Sequence, residues 1–339
     1  MIRTWLNKLI NKTSASKALI LMYHRVDTLP CDPWQLAVSP AHFEEQLAVI
    51  CQNWRPISLT KLGQDVARRS VEDRSIVLTF DDGYIDNFVH AKPLLEKYKV
   101  PATFFIATQH TESQAPFWWD ELQTILVDTP KLPELLQVLI GDELITADLS
   151  NEATLTPMLR EKQNKWTACV NTPTERCRIY EQIWMRLKTM SAHNQQVQMA
   201  RLREWAGLSQ DSPAALRCMT PDHLHQLVSN PLFTIGSHTM NHPALGERPA
   251  DEQSSEIVGG NQYLNNLMGK SVELFAYPYG NYNETSVSLV KGEGLSTAVT
   301  TEEGVITNRS NPLRMSRYQV CDWDSSTFGK KLDAWYSHQ

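Results

Sequence analysis

The sequence predicts an α/β chain whose sheet is parallel and curled towards a barrel, and three observations predict it. Short apolar runs rich in β-branched and aromatic residues recur about seven times, at 18–23, 75–80, 102–108, 233–237, 274–277, 297–300 and 314–320. Helical patterns lie between them, as parallel pairing requires, because each strand must return through a crossover to run in the same direction. Polar residues capable of chemistry cluster directly after the runs, where parallel α/β folds collect their active groups.

The elements follow in order. After the first run, Ser39 is placed as an N-cap and Pro40 at the first helical position, so a helix over 40–53 is expected. Thr220-Pro221-Asp222 opens a second helix over 222–229 in the same way. Residues 110–220 break the alternation. They contain almost no β-branched runs, carry amphipathic stretches such as 174–206, and present faces rich in Glu, Gln, Lys and Arg. They read as a helical insertion between two barrel strands, because the strand pattern resumes at Phe233 as though uninterrupted. The expected organisation is an amphipathic helix over 1–17, a barrel over 18–109 and 221–325, the insertion over 110–220, and a C-terminal tail over 326–339.

Length and charge restrict the function. A chain of 339 residues with 42% apolar residues fills one and a half domains. A net charge of −6, with no long Lys/Arg run, argues against nucleic acid as partner, since that binding draws on phosphate neutralisation. No apolar stretch approaches the roughly 18 to 20 residues needed to span a bilayer. The first residues carry positive charge without a following apolar region or cleavage site, so no signal peptide and a cytoplasmic location are expected. Trp5, Leu6, Leu9 and Ile10 share a helical face beside Arg3, Lys8 and Lys12, which suits peripheral membrane contact; packing on its own domain is the alternative. Six cysteines without a CxxC pair read as reduced structural thiols.

Four clusters carry chemistry. In Thr79-Phe80-Asp81-Asp82-Gly83-Tyr84, two adjacent carboxylates share a task only if the chain turns, and Gly83 permits the turn. In Ser237-His238-Thr239-Met240-Asn241-His242-Pro243, two imidazoles four residues apart join with one carboxylate into a set that suits Zn²⁺, Fe²⁺ or a similar cation. In Tyr277-Pro278-Tyr279-Gly280, a rigid turn can aim a backbone N–H into a site. The fourth is Met22-Tyr23-His24-Arg25-Val26, with a single histidine at the end of the first run.

The order TFDDGY, SHTMNHP, YPYG resembles the polysaccharide deacetylases of carbohydrate esterase family 4, whose chitooligosaccharide deacetylase-like (NodB-like) fold is a distorted (β/α) barrel. The early MYHRV is similar to the permuted subgroup containing the poly-N-acetylglucosamine deacetylases. The resemblance covers roughly 18–109 and 230–325 and implies the roles that follow. Asp81 is the general base. Asp82, His238 and His242 hold a divalent metal, zinc first. The N–H of Tyr279 stabilises the oxyanion. The leaving amine takes its proton from His24, with His90 and His110 behind it, since the one later histidine, His338, lies next to the terminus. Ala276 replaces an arginine that pairs with the base in the family, and Arg317, then Arg25, is expected to supply that charge. Trp118, Trp119 and Tyr279, then Trp323, are expected to stack on sugar rings. The implied activity is metal-dependent removal of an N-acetyl group from an amino sugar in a cell-surface polysaccharide or its lipid-linked precursor. The alternatives are a non-catalytic carbohydrate-binding protein, or a deformylase or O-deacylase using the same metal site.

Overall fold

A computed structural model describes residues 16–209 and 217–337. Its strands are β1 (Ala18–Tyr23), β2 (Arg55–Pro56), β3 (Ser75–Phe80), β4 (Ala102–Ile106), β5 (Leu135–Ile140), β6 (Glu143–Asp148), β7 (Phe233–Ser237), β8 (Leu274–Ala276), β9 (Thr297–Val299) and β10 (Tyr318–Gln319). Seven of them run in the order β10-β1-β3-β4-β7-β8-β9, with β2 beside the start of β3, and every pair in this sheet is parallel. The sheet curls because its two ends are joined. Met315 pairs with β9, donating to Ala298 O at 2.9 Å and accepting from Thr300 N at 2.9 Å, and three residues later Tyr318 pairs with Leu21 of β1. The expected run over 314–320 therefore yields only a two-residue strand, since the segment crosses from one neighbour to the other.

The strands are apolar on both faces because both faces are covered. Leu19, Leu21 and Tyr23 of β1 meet Phe43, Leu47 and Ile50 of the helix Pro40–Asn53. The alternate residues Ala18 and Ile20 join Val77, Phe105, Leu274, Ala276 and Val299 inside the curl. Ser39 caps the helix by accepting from His42 N, and Thr220 forms a capping box with His223 at the start of Pro221–Val228. Residues expected as a tail instead form the helix Ser325–Ser337, which seats Phe328, Leu332 and Trp335 on the outer core. The expected helix over 1–17 falls on 1–15 outside the described residues. Among the described residues no helix is long and apolar enough to cross a membrane.

The insertion is not purely helical. Between its helices β5 and β6 form an antiparallel hairpin, with Leu136, Val138 and Ile140 directed inwards. Leu135, Leu139 and Leu144 are exposed on its other face, so the sequence shows no clean alternation there. Its helices include Trp118–Gln123, Glu175–Leu187 and Ala192–Ala206, packed around a core of their own. Buried Arg176 ties the segment together by donating to the carbonyls of Thr129, Glu152 and Ala153. The chain then returns to the barrel at its mouth, where Met219 N donates to Gly83 O at 2.8 Å and Ile85 N to Arg217 O at 3.0 Å.

Candidate active site

The ends of β1, β3, β7 and β8 open on one cavity of about 400 Å³. At the end of β3, Asp81 N still donates to Tyr23 O, and then Asp82 (φ 72°) and Gly83 (φ 83°) turn the chain in the left-handed region. That turn brings both carboxylates to the same mouth. Thr239 (φ 66°), His242 (φ 59°) and Tyr279 (φ 56°) are also left-handed and non-glycine, so backbone strain concentrates here.

The loop 238–242 is held from three sides. Glu256 accepts from Met240 N at 3.0 Å, Asn241 N at 2.8 Å and Asn241 Nδ2 at 2.8 Å. Thr239 Oγ1 accepts from His242 N at 3.0 Å, and Thr239 O accepts from Thr108 N just beyond β4. Gly260 lets the helix Ala250–Met268 press on the loop, since a Cβ there would lie 2.8 Å from the Thr239 carbonyl.

His238 Nδ1 lies 2.8 Å from Ala276 O, an arrangement in which the ring proton sits on Nδ1 and the Nε2 lone pair is free. Asp82 Oδ1 stands 3.5 Å from His238 Nε2 and 3.3 Å from His242 Nε2. The three ligating atoms lie within 4.8 Å of one another, and all three residues are buried. Burial pushes His242 down to about 3, which keeps it neutral, while its Nδ1 and Asp82 Oδ1 are both buried without a hydrogen-bond partner. Burial opposes ionisation of Asp82, yet the neighbouring histidines outweigh it and hold the carboxyl below its ordinary range. Two imidazole nitrogens and one carboxylate oxygen that converge in a buried place repel one another unless positive charge lies between them. The donor set therefore fits a divalent metal.

Asp81 has a different partner. Arg317, fully buried, grips it with two bonds of 2.7 Å and also donates to Thr79 Oγ1 at 3.0 Å and Thr300 O at 2.8 Å. Burial raises the Asp81 carboxyl, but the guanidinium dominates and the net shift is downward. Arg25 points elsewhere, bonding Asp86 at 2.9 Å with its guanidinium 4.5 Å from the centre of the Tyr84 ring. His24 borders the cavity beside the two carboxylates, its Nδ1 buried without a hydrogen-bond partner. His90 instead bonds Val26 O, and His110 bonds Ala115 O and packs on Phe117.

Tyr279 sets its ring against His242, with centroids 4.4 Å apart, and its neighbour must be glycine because a Cβ on Gly280 would lie 2.0 Å from Thr301 Oγ1. Trp119 stands edge-on to His242 at 4.9 Å and donates to Tyr84 Oη at 2.9 Å, and Tyr84 donates to Asp120 at 2.7 Å. The expectation for Trp118 needs correction. It sits behind Trp119 and borders a neighbouring cleft rather than this cavity, because adjacent helical residues face directions about 100° apart. Trp323 packs near Trp335 on the outer core, away from the cavity. Several cavity residues escaped the sequence reading, among them Trp34, Trp184, Lys188 and Glu303. Trp184 shares the helical spacing of the core residues Tyr180, Ile183 and Leu187, which hid it.

A family model described as polysaccharide deacetylase matches residues 68–130 and 148–298, well over half of the chain. Over 288 residues, 84% of its length, the chain is 22% identical to the poly-beta-1,6-N-acetyl-D-glucosamine N-deacetylase of Escherichia coli K12. It spans only 34% of that relative and 42% of another curated relative. Among solved structures, IcaB from Ammonifex degensii superposes with a TM-score of 0.57 at 17% identity, covering 95% of this chain and 98% of that one. The Streptococcus pyogenes deacetylase PplD, solved with acetate, superposes with a TM-score of 0.55 at 19% identity, covering 96% and 100%. At these identities the likeness concerns the fold.

Proposed function

The chain belongs to the polysaccharide deacetylase family, and from that premise we propose that it hydrolyses the N-acetyl group of an amino sugar in a cell-surface polysaccharide or its precursor. The observation that supports this most is the division of labour between neighbouring carboxylates. Asp82 faces two imidazoles as a metal ligand would, while Asp81, one residue earlier, is clamped by Arg317 in the same cavity.

Asp82, His238 and His242 would hold a divalent cation, zinc first. When bound, such a cation supplies Lewis acidity at an acyl oxygen and makes water more acidic. Asp81 is kept ionised and aligned by Arg317, so it is ready to take a proton from water attacking the amide carbon. The N–H of Tyr279, set by its left-handed turn, serves as a donor to the developing oxyanion. His24 lies in the same cavity and gives the leaving amine its proton. Trp119 and the Tyr279 ring wall the acyl group and keep bulk water from it.

The test is acetate release from a panel of N-acetylated glycans with metal content measured in parallel, and formyl and O-acetyl esters as further arms. Asp81→Asn is expected to lower turnover about 10²- to 10⁴-fold with metal retained. Undiminished turnover in that variant would remove Asp81 from the chemistry. Glycan binding without release of any acyl group would reduce the protein to a binding module.

A further inference from the structure

The insertion reaches the cavity through Trp184 and Lys188, at the end of the helix Glu175–Leu187. Trp184 lies on Trp34 with ring centroids 4.2 Å apart and edge-on to Tyr279 at 6.2 Å. Trp34 is fixed in turn, donating from Nε1 to Tyr180 Oη at 3.0 Å. The Lys188 ammonium stands 4.8 Å from the centre of the Tyr279 ring and 5.5 Å from that of Trp184. Among the described residues it has no hydrogen bond or ion pair, only the more distant attraction of Glu247. Arg25 and Arg317, also at this end of the barrel, each hold a buried carboxylate. A half-buried ammonium resting on aromatic faces leaves its N–H donors to whatever enters the cavity.

We propose that Lys188, with the wall of Trp34, Trp184 and Tyr279, is a subsite for a phosphate group carried by the amino-sugar substrate. The cavity then selects a glycosyl phosphate, nucleotide-linked or lipid-linked, over a neutral glycan. The sugar ring stacks on the aromatic wall while its acetamido group reaches Asp81 and Asp82. A single ammonium is a point charge, which suits the tetrahedral oxygens of a phosphate ester; a planar carboxylate is matched by the fork of an arginine, absent from this wall. The inference rests on the deacetylase reading for the fate of the bound sugar, but not for its binding.

Quenching of tryptophan fluorescence in the full-length protein, with zinc added, measures binding directly. The probes are N-acetylglucosamine 1-phosphate, the methyl glycoside of N-acetylglucosamine, and a disaccharide carrying a glucuronate. Wild type is expected to bind the phosphate probe about tenfold more tightly than the neutral glycoside. Lys188→Gln should abolish that difference and leave the neutral glycoside unchanged, and Lys188→Arg should keep part of it. Equal losses for both probes, an unchanged preference in Lys188→Gln, or a lysine-dependent preference for the glucuronate would each overturn the proposal. A nucleoside diphosphate sugar and a short-chain prenyl diphosphate sugar serve as further arms, and Lys188-dependent binding of either supports the subsite and identifies the source. Lys188-dependent binding without acetate release keeps the subsite and removes the deacetylase reading. Acetate release with no Lys188-dependent preference does the reverse.

Discussion

The two walls of the cavity treat their carboxyl groups in opposite ways. On the barrel side, Asp81 faces a guanidinium and Asp82 faces imidazoles, and both are held below the ordinary carboxylate range although burial opposes it. On the insertion side, Asp120 meets a tyrosine hydroxyl, and burial pushes its carboxyl up to about 7. Burial is common to all three, so the partner decides the protonation state. The carboxyls held ionised thereby stand at the barrel strand ends, while on the insertion side the network Asp120–Tyr84–Trp119 braces an aromatic ring against His242.

The strongest way to break this contrast is Arg317→Met. It leaves Asp81 buried without its guanidinium and is expected to destabilise the fold by about 3 to 5 kcal/mol, because an unpaired buried charge remains. Denaturant unfolding at neutral pH measures it. The double variant Asp81→Asn/Arg317→Met should recover most of that loss, since neither charge is left alone. A single-variant cost below about 1 kcal/mol would mean that the pair behaves like a surface ion pair and that the contrast is only geometric.

The two walls also differ in how far they can be read from sequence. Asp81, Asp82, His238 and His242 sit within six residues of a strand end, so the strand pattern and a short motif locate them together. The curled parallel sheet is legible for the same reason, its runs being apolar on both faces. Arg317 comes from a remote segment, and what points to it is a missing charge at Ala276 rather than any local pattern. Lys188, Trp184 and Trp34 arrive through packing of the insertion on the barrel. Trp184 has the spacing of a core residue, and Lys188 follows its helix like any solvated terminal lysine. The hairpin β5–β6 is hidden by the leucines on its exposed face.

A smaller effect sharpens the barrel side alone. Glu256 touches neither substrate nor metal ligand side chains, and its carboxylate holds the backbone between His238 and His242. Glu256→Ala is expected to weaken zinc binding about 10- to 100-fold, as the loss of an outer partner that orients ligands does. Calorimetric titration of zinc into the purified protein checks this, with far-UV circular dichroism expected to stay unchanged. Undiminished zinc affinity would show that Thr239 and Gly260 suffice to hold the loop.

A last test reads the insertion side through pH. Asp120 has a folded pKa raised from 3.8 to about 7, so the folded state binds its proton more tightly than the unfolded chain does. That contribution to stability is complete below the ordinary carboxylate range and is lost as pH rises through about 7. The sign is opposite to that of Asp81, whose lowered value contributes stability above the ordinary range and loses it in acid. Asp120→Asn imitates the protonated carboxyl and keeps an acceptor for Tyr84, so it should match wild type near pH 4 and become progressively more stable than wild type towards pH 8, by up to about 4 kcal/mol. Thermal unfolding of both proteins across that range gives the difference directly. A difference that stays flat with pH would mean that Asp120 is ionised throughout, held by Arg25 across the Tyr84 ring, and both walls would then carry ionised carboxylates.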